Sequence, residues 1–275
     1  MNQRDSGEVI LSRSNSAVKR IRALGSRKGR DASGLFVAEG PRLALQALDA
    51  GYPVHSVVIA PELIRSETNI RLQELIEKQG VAQLRVSGDV YQTLSGRENP
   101  RGVCVVAQQA PSVPSDIHVA ADSVWIALIR PQDPGNVGSI IRTADAMRAG
   151  PVFLIGDSAD PYDPRSVRAS MGSIFTTSVL RLSWTSFQQL CRSHGVTPVG
   201  GDPGGETGPE ELSVVPPLSL VLGSEREGLT PDERATCRAL LRIPTHGEAD
   251  SLNLAVAAGI LLYEIRRLHP SRQQS

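Results

Sequence analysis

The sequence predicts an α/β protein of two domains, in which a smaller α/β module precedes a larger domain built on a parallel sheet. Three observations lead there. The chain has 275 residues, against roughly 150 for an ordinary domain. Hydrophobic residues make up 40% and charged residues 21%, which supplies material for cores and excludes a disordered chain. Short apolar runs alternate with helical patterns along most of the length, as in successive β-α-β units.

In chain order, residues 1–30 carry eight basic and two acidic side chains within a chain of zero formal net charge. They read as a basic arm, either solvated or touching phosphates. Residues 31–110 form the first domain. There Val57–Ala60, Leu84–Val86 and Val103–Ala107 are strand-like, while Pro41–Ala50 and Ile70–Gln79 are helical. Two prolines and two serines within 108–116 mark a linker, taken as residues 111–119.

Over 120–275 the runs Val124–Ile129, Val152–Ile155, Leu218–Leu222 and Leu240–Ile243 suit strands buried on both faces of a parallel sheet. The glycine-rich stretch 200–208 reads as a loop that needs no function. The longest apolar run, Leu254–Tyr263, is ten residues, too short to cross a bilayer, and the N-terminus lacks the apolar core of an export signal. A cytoplasmic protein without a membrane partner is expected. Cys104, Cys191 and Cys237 are widely separated and no histidines cluster, which argues against a disulfide framework and a metal site.

Three segments carry chemistry. Asp133-Pro-Gly-Asn-Val-Gly-Ser-Ile-Ile-Arg-Thr-Ala-Asp-Ala146 follows a strand and reads as a helix. Val137, Ile140, Ile141, Ala144 and Met147 form its apolar stripe, with Gly138, Arg142 and Asp145 opposite. Arg142 is thus presented near the carboxyl edge of a strand, where open α/β sheets bind ligands; its structural alternative is a surface pair with Asp145. Leu220-Val-Leu-Gly-Ser-Glu-Arg-Glu-Gly-Leu229 is a strand entering a glycine-bounded loop. Leu229 stands where a phosphate loop requires lysine, and no G-x-G-x-x-G follows a strand. Glu225 could alternatively cap a neighbouring helix. The third segment, Ile243 to Ala258, opens the last helix, for which Asp250 or Ser251 could be the N-cap. That helix is apolar nearly all round and predicts packing on its own core and on a partner.

The conjunction of Asn136-x-Gly with Arg142, Gly223-Ser-Glu-x-x-Gly228, and Ile243-Pro with Ser251-Leu-Asn253 resembles the three motifs of the SPOUT superfamily. More narrowly it resembles the TrmH (SpoU) family of RNA ribose 2′-O-methyltransferases, and within it the antibiotic-resistance branch acting on large-subunit ribosomal RNA. Phe36–Arg42, Asn99–Val103 and Pro164–Gly172 also have counterparts in that family. At Arg101 the chain departs from it, since glutamine is commoner there.

The resemblance implies a trefoil-knotted catalytic domain, S-adenosylmethionine as methyl donor, no metal, and a homodimer formed through the C-terminal domain. It places the donor among Leu222, Gly223, Ser224, Gly228, Ile243, Pro244, Ser251, Leu252 and Asn253. It assigns catalysis to Arg142, oriented by Asn136, with Glu225, Ser251 and Asn253 in support. Because arginine holds its proton, Arg142 is read as a phosphate clamp that also polarises the ribose hydroxyl. His246 is set aside as a base, as loop histidines are usually structural. RNA contacts are expected from Arg22, Lys28, Arg30, Arg42, Arg101 and Arg168. Ribosomal RNA is the expected substrate, with transfer RNA, or a non-catalytic RNA-binding assembly factor on the same scaffold, as alternatives.

Overall fold

A computed structural model describes residues 8–64, 68–109, 117–248 and 251–270. The chain divides into two compact units, Met1–Ala110 with Tyr162–Phe175, and Pro111–Pro161 with Thr176–Ser275.

The first unit is a four-stranded sheet. Its strands are β1 (Leu35–Glu39), β2 (Val54–Ile59), β3 (Ala82–Arg85) and β4 (Val103–Gln108), in the order β1-β4-β2-β3. β4 pairs antiparallel with both neighbours, and β2 pairs parallel with β3. Among the described residues before 110 it is accompanied by α1 (Ser16–Ala23), α2 (Arg27–Ser33), α3 (Pro41–Asp49), α4 (Thr68–Gln79) and α5 (Gly88–Gln92). Much of the stretch 1–30, read from sequence as an arm, is helical: α1 lies within it and α2 begins in it. Val18, Ile21 and Leu24 pack with Val58, Val86 and Val106 in one core cluster, because every third or fourth residue of a basic helix is enough to build an apolar stripe.

The second unit was expected to run unbroken over 120–275. Instead, 162–175, including α7 (Pro164–Ala169), belongs to the first unit. The cause is aromatic burial: Phe36 lies 4.8 Å from Tyr162 and 6.3 Å from Phe175 between ring centroids.

The second unit holds six parallel strands: β5 (Val124–Ile129), β6 (Val152–Ile155), β7 (Val179–Leu182), β8 (Thr197–Gly201), β9 (Leu218–Leu222) and β10 (Leu240–Leu241). Their order is β10-β8-β9-β5-β6-β7. Every residue of β5, β6 and β9 is buried, so helices must cover both faces. On one face α8 (Trp184–His194) sends Phe187 and Cys191 into the cluster of Trp125, Ala127 and Ile129. Elsewhere α6 (Pro134–Ala146) packs with α10 (Leu254–Leu268), and Leu261 of α10 meets the side of the sheet bearing Leu220 and Leu222. Gly138, placed by helical spacing on the outer side of α6, is buried; a glycine adds no side chain to hold a neighbour away. The short helix α9 (Pro231–Thr236) completes the unit. From β5 the chain proceeds outward through β6 and β7, then returns to the far side of β5. The β5–β9 boundary is thus the topological switch point, where open α/β sheets bind ligands.

Candidate active site

Three loops meet at the carboxyl edge of the six-stranded sheet. The first leaves β5 and enters α6. Asp133 is the N-cap, its Oδ1 accepting from the N–H groups of Gly135 (2.6 Å) and Asn136 (3.1 Å), with Pro134 in the first turn. The run Asp133–Asn136 is a helix-starting device that also aims the Asn136 side chain.

The second loop leaves β9. A Cβ on Gly223 would overlap the backbone of Gly228, which has φ 64°, and Ser224 and Gly228 form an isolated bridge. The loop is doubled back on itself, and both glycines are required for it. This presents Glu225 outward. Its carboxylate accepts from the N–H of Gln132 (3.0 Å), the N–H of Asp133 (3.4 Å) and Asn136 Nδ2 (3.0 Å). The helix-capping alternative for Glu225 is not realised at α6, whose first-turn N–H groups are taken by Asp133; Glu225 instead binds the two N–H groups just before the helix.

The third loop reaches α10. The N-cap there is Asn253, not Ser251; Asp250 lies outside the described residues. Asn253 Oδ1 accepts from the N–H groups of Ala255 (2.9 Å) and Val256 (3.3 Å), while its Nδ2 donates to Asn136 Oδ1 at 3.0 Å. Asn253 serves both purposes because an amide can accept at a helix start and donate elsewhere, whereas Ser251 has one short hydroxyl.

Together these bonds form a row from Glu225 through Asn136 to Asn253. Its polarity is determined: an ionised carboxylate only accepts, so Asn136 turns its amide nitrogen to Glu225 and its oxygen to Asn253. Partial burial would raise the Glu225 carboxyl, but hydrogen bonds from Asn136 and from the backbone of Gln132 and Asp133 outweigh it and hold the group below the ordinary carboxylate range.

Beside this row lies a cleft of about 880 Å³. Leu222, Gly223, Ser224, Gly228, Ile243, Pro244, Ser251, Leu252 and Asn253 all line it, as do Glu225 and His246. Leu241, Ile243, Leu254 and Leu261 give it an apolar wall of the kind that holds a nucleoside, while its charges balance, with Asp202, Glu225 and Glu227 against Arg226, Arg234 and Arg242. Arg142 is not among the lining residues. It stands on the exposed side of α6, six residues beyond Asn136, and its side chain makes no hydrogen bond or ion pair with another described residue.

Sequence reasoning missed Gly201, Asp202 and Pro203, which line the same cleft. Asp202 is buried and pairs with Arg234 at 3.1 Å. The glycine-rich stretch read as an idle loop therefore ends a parallel strand at the ligand edge. The available signal was position, because a loop after a parallel strand at that edge faces the ligand.

Of the residues expected to touch RNA, Arg22, Lys28, Arg42, Arg101 and Arg168 are exposed. Arg22 also donates to Thr93 Oγ1 (2.7 Å), and the Arg168 guanidinium lies beside Gly96, near the loop bearing Arg101. Arg30 is corrected: it is 1% exposed, its Nη1 donates to the carbonyls of Leu24 (2.9 Å) and Gly25 (3.2 Å), and it faces Asp163 at 3.7 Å. A guanidinium so engaged braces the interior and has nothing left for a phosphate.

Burial pushes the thiols of Cys104, Cys191 and Cys237 up to about 12, so they stay protonated and unsuited to nucleophilic attack. Among the described residues no group of side chains could hold a metal ion, and no helix is long and apolar enough to cross a membrane.

Comparison with known proteins follows the same lines. Residues 123–263 match the SpoU rRNA Methylase family, and residues 15–105 match the MRM3-like substrate binding domain. The 23S rRNA (uridine(2479)-2′-O)-methyltransferase of Streptomyces viridochromogenes is 32% identical over 89% of this chain and 86% of its own length. The 23S rRNA (guanosine(2553)-2′-O)-methyltransferase RlmP of Bacillus subtilis is 29% identical over 94% of this chain and 98% of its own. The crystal structure of AdoMet-bound rRNA methyltransferase from Sinorhizobium meliloti superposes with TM-score 0.87 at 36% identity, over 96% of this chain and 99% of that one.

Proposed function

The chain belongs to the SpoU rRNA methylase family, and from that premise we propose that it transfers a methyl group from S-adenosylmethionine to a ribose 2′-hydroxyl of large-subunit ribosomal RNA. One observation carries the reading: the hydrogen-bonded row Glu225–Asn136–Asn253 ties all three motif loops together beside a cleft lined by every residue expected to hold the donor. The two relatives act on a uridine and a guanosine, so what their reactions share is the ribose.

S-adenosylmethionine, when bound, supplies an electrophilic methyl group and its own leaving group. The chain must add alignment, which is worth about 7–11 kcal/mol in well-oriented reactions. The backbone of the Gly223–Gly228 loop and of Ile243–Pro244 cradles the donor, while Ser251 and Leu252 close the cleft. Asn136, fixed by Glu225 and Asn253, sets the first turn of the helix that bears Arg142. Arg142 clamps the phosphate next to the target ribose and donates a hydrogen bond to the hydroxyl oxygen, so that the phosphate or a water takes the proton. Arg42, Arg101 and Arg168 hold the RNA backbone on the first unit.

The same reading makes the working enzyme a homodimer of the cytoplasm with a knotted donor site. Val256 (50% exposed), Ile260 (37%) and Tyr263 (56%) form an apolar stripe on α10, a face that a second copy would bury. The test is incubation with ribosomal RNA and methyl-labelled S-adenosylmethionine, followed by nuclease digestion and mass spectrometry. One 2′-O-methylated nucleoside is expected; a label on a base, or no label, refutes the reading.

A further inference from the structure

We propose that Arg130 is a positioning residue for donor binding, which holds the glycine-bounded loop 223–228 near the end of β5 by anchoring Glu233 in the helix that follows it. The inference rests on the cleft being the donor site.

Arg130 is the first residue after β5 and adopts φ 51°, a left-handed conformation seldom taken by a residue with a Cβ. Its N–H donates to the Ile155 carbonyl at 2.9 Å and its own carbonyl accepts from Gln132 Nε2 at 3.0 Å. The backbone is thus anchored from both sides. The guanidinium then forks onto one carboxylate: Nη1 donates to Glu233 Oε1 (2.6 Å) and Nη2 to Glu233 Oε2 (3.1 Å), while Nε lies 4.0 Å from Glu227 Oε2.

Glu227 immediately precedes Gly228, and Glu233 lies five residues beyond it in α9. Glu227 and Leu229 line the cleft, but Arg130 does not. Glu233, with a side chain only 6% exposed, also accepts from the Thr230 N–H at 2.8 Å and so caps α9. The cation therefore clamps the helix that continues from the loop, and it adds only a weak attraction to the largely exposed Glu227 at the loop's end. Glu225 pins the near strand to the same β5–α6 connection. Without Arg130, Glu233 would be a buried carboxylate short of its counter-ion, a state relieved by moving the loop outward.

A brace of the fold alone would alter melting temperature and leave donor affinity untouched; a positioning residue alters donor affinity. The test uses the full chain, with calorimetric titration of S-adenosylmethionine and steady-state kinetics on ribosomal RNA. Arg130→Met and Glu233→Gln are each expected to raise Kd and KM for the donor about 10-fold, with kcat at saturating donor within about 3-fold of the parent. Arg130→Lys restores the charge without the fork and recovers part of the loss. The double variant is expected to be no worse than the worse single one. Glu233→Gln keeps the side chain's size and an acceptor for Thr230, and it decides the matter if Arg130→Met does not fold. A folded Arg130→Met, or failing that a folded Glu233→Gln, that binds donor within about twofold of the parent overturns the proposal alone. A parent chain that binds no donor overturns it together with the donor-site reading.

Discussion

At Arg142 a helix delivers an exposed guanidinium with no partner among the described residues, whereas Asn136 one and a half turns earlier is held on both sides. The proposed function thus assigns positioning to Asn136 and chemistry to Arg142 on one helix. Replacing Arg142 with alanine is expected to slow single-turnover methyl transfer about 100-fold or more while donor affinity by calorimetry stays unchanged. Arg142→Lys should fall well short of the parent because an ammonium cannot fork a phosphate; near-normal turnover with unchanged RNA affinity would refute the clamp. Glu225 gives a pH signature. Its folded carboxyl lies below the ordinary range, so its contribution is complete above the unfolded-state value and is lost as pH falls through the lower folded value. Thermal melting from neutral to acid pH should show that loss, and Glu225→Gln should reduce it.

Among the elements, β5, β6 and β9 stand where their continuous apolar runs placed them, since a strand buried on both faces needs no polar position. Strands β1, β7 and β8 did not announce themselves. Arg181 interrupts β7, and β8 carries a proline and two glycines, residues that weaken any strand signal. Gly200 and Gly201 are there because a Cβ would strike Leu240 or Leu222 and Leu261 at 2.6–2.7 Å. The Gly223 loop carries an element-level prediction. Gly223→Ala forces a methyl into the Gly228 backbone, so the variant should lose donor binding and about 2 kcal/mol or more of stability in urea unfolding. A variant that binds donor normally would show that the loop is not the cradle.

For the molecule as a whole, charge is balanced at zero and arginines outnumber lysines by 26 to three, so RNA must be held by local groups and not by a general field. Deleting residues 1–30 would not test this, because Val18, Ile21, Leu24 and Arg30 belong to the interior of the first unit. The sharper experiment neutralises exposed positions. Arg42→Gln, Arg101→Gln and Arg168→Gln should each lower the slope of log affinity against log salt by about 0.7–0.9 in filter binding. Arg30→Gln should leave the slope alone and lower the melting temperature. An unchanged slope in all three surface variants would move the RNA contacts elsewhere.

The sequence by itself determined the α/β class, the three motif loops and the nine motif residues, Leu222 to Asn253, that line part of the cleft. Apolar runs, glycine spacing and the order of motifs are local properties, carried by neighbouring residues whatever the rest of the chain does. Only the tertiary structure decided that Arg30 lies inside, that 162–175 belongs with the first unit, that Asp202 borders the cleft, and that Arg130 and Glu233 meet across 103 residues. Each of these depends on which distant groups share a buried volume. A charged side chain reads alike in sequence whether it faces water or an interior counter-ion, and only packing tells the two apart.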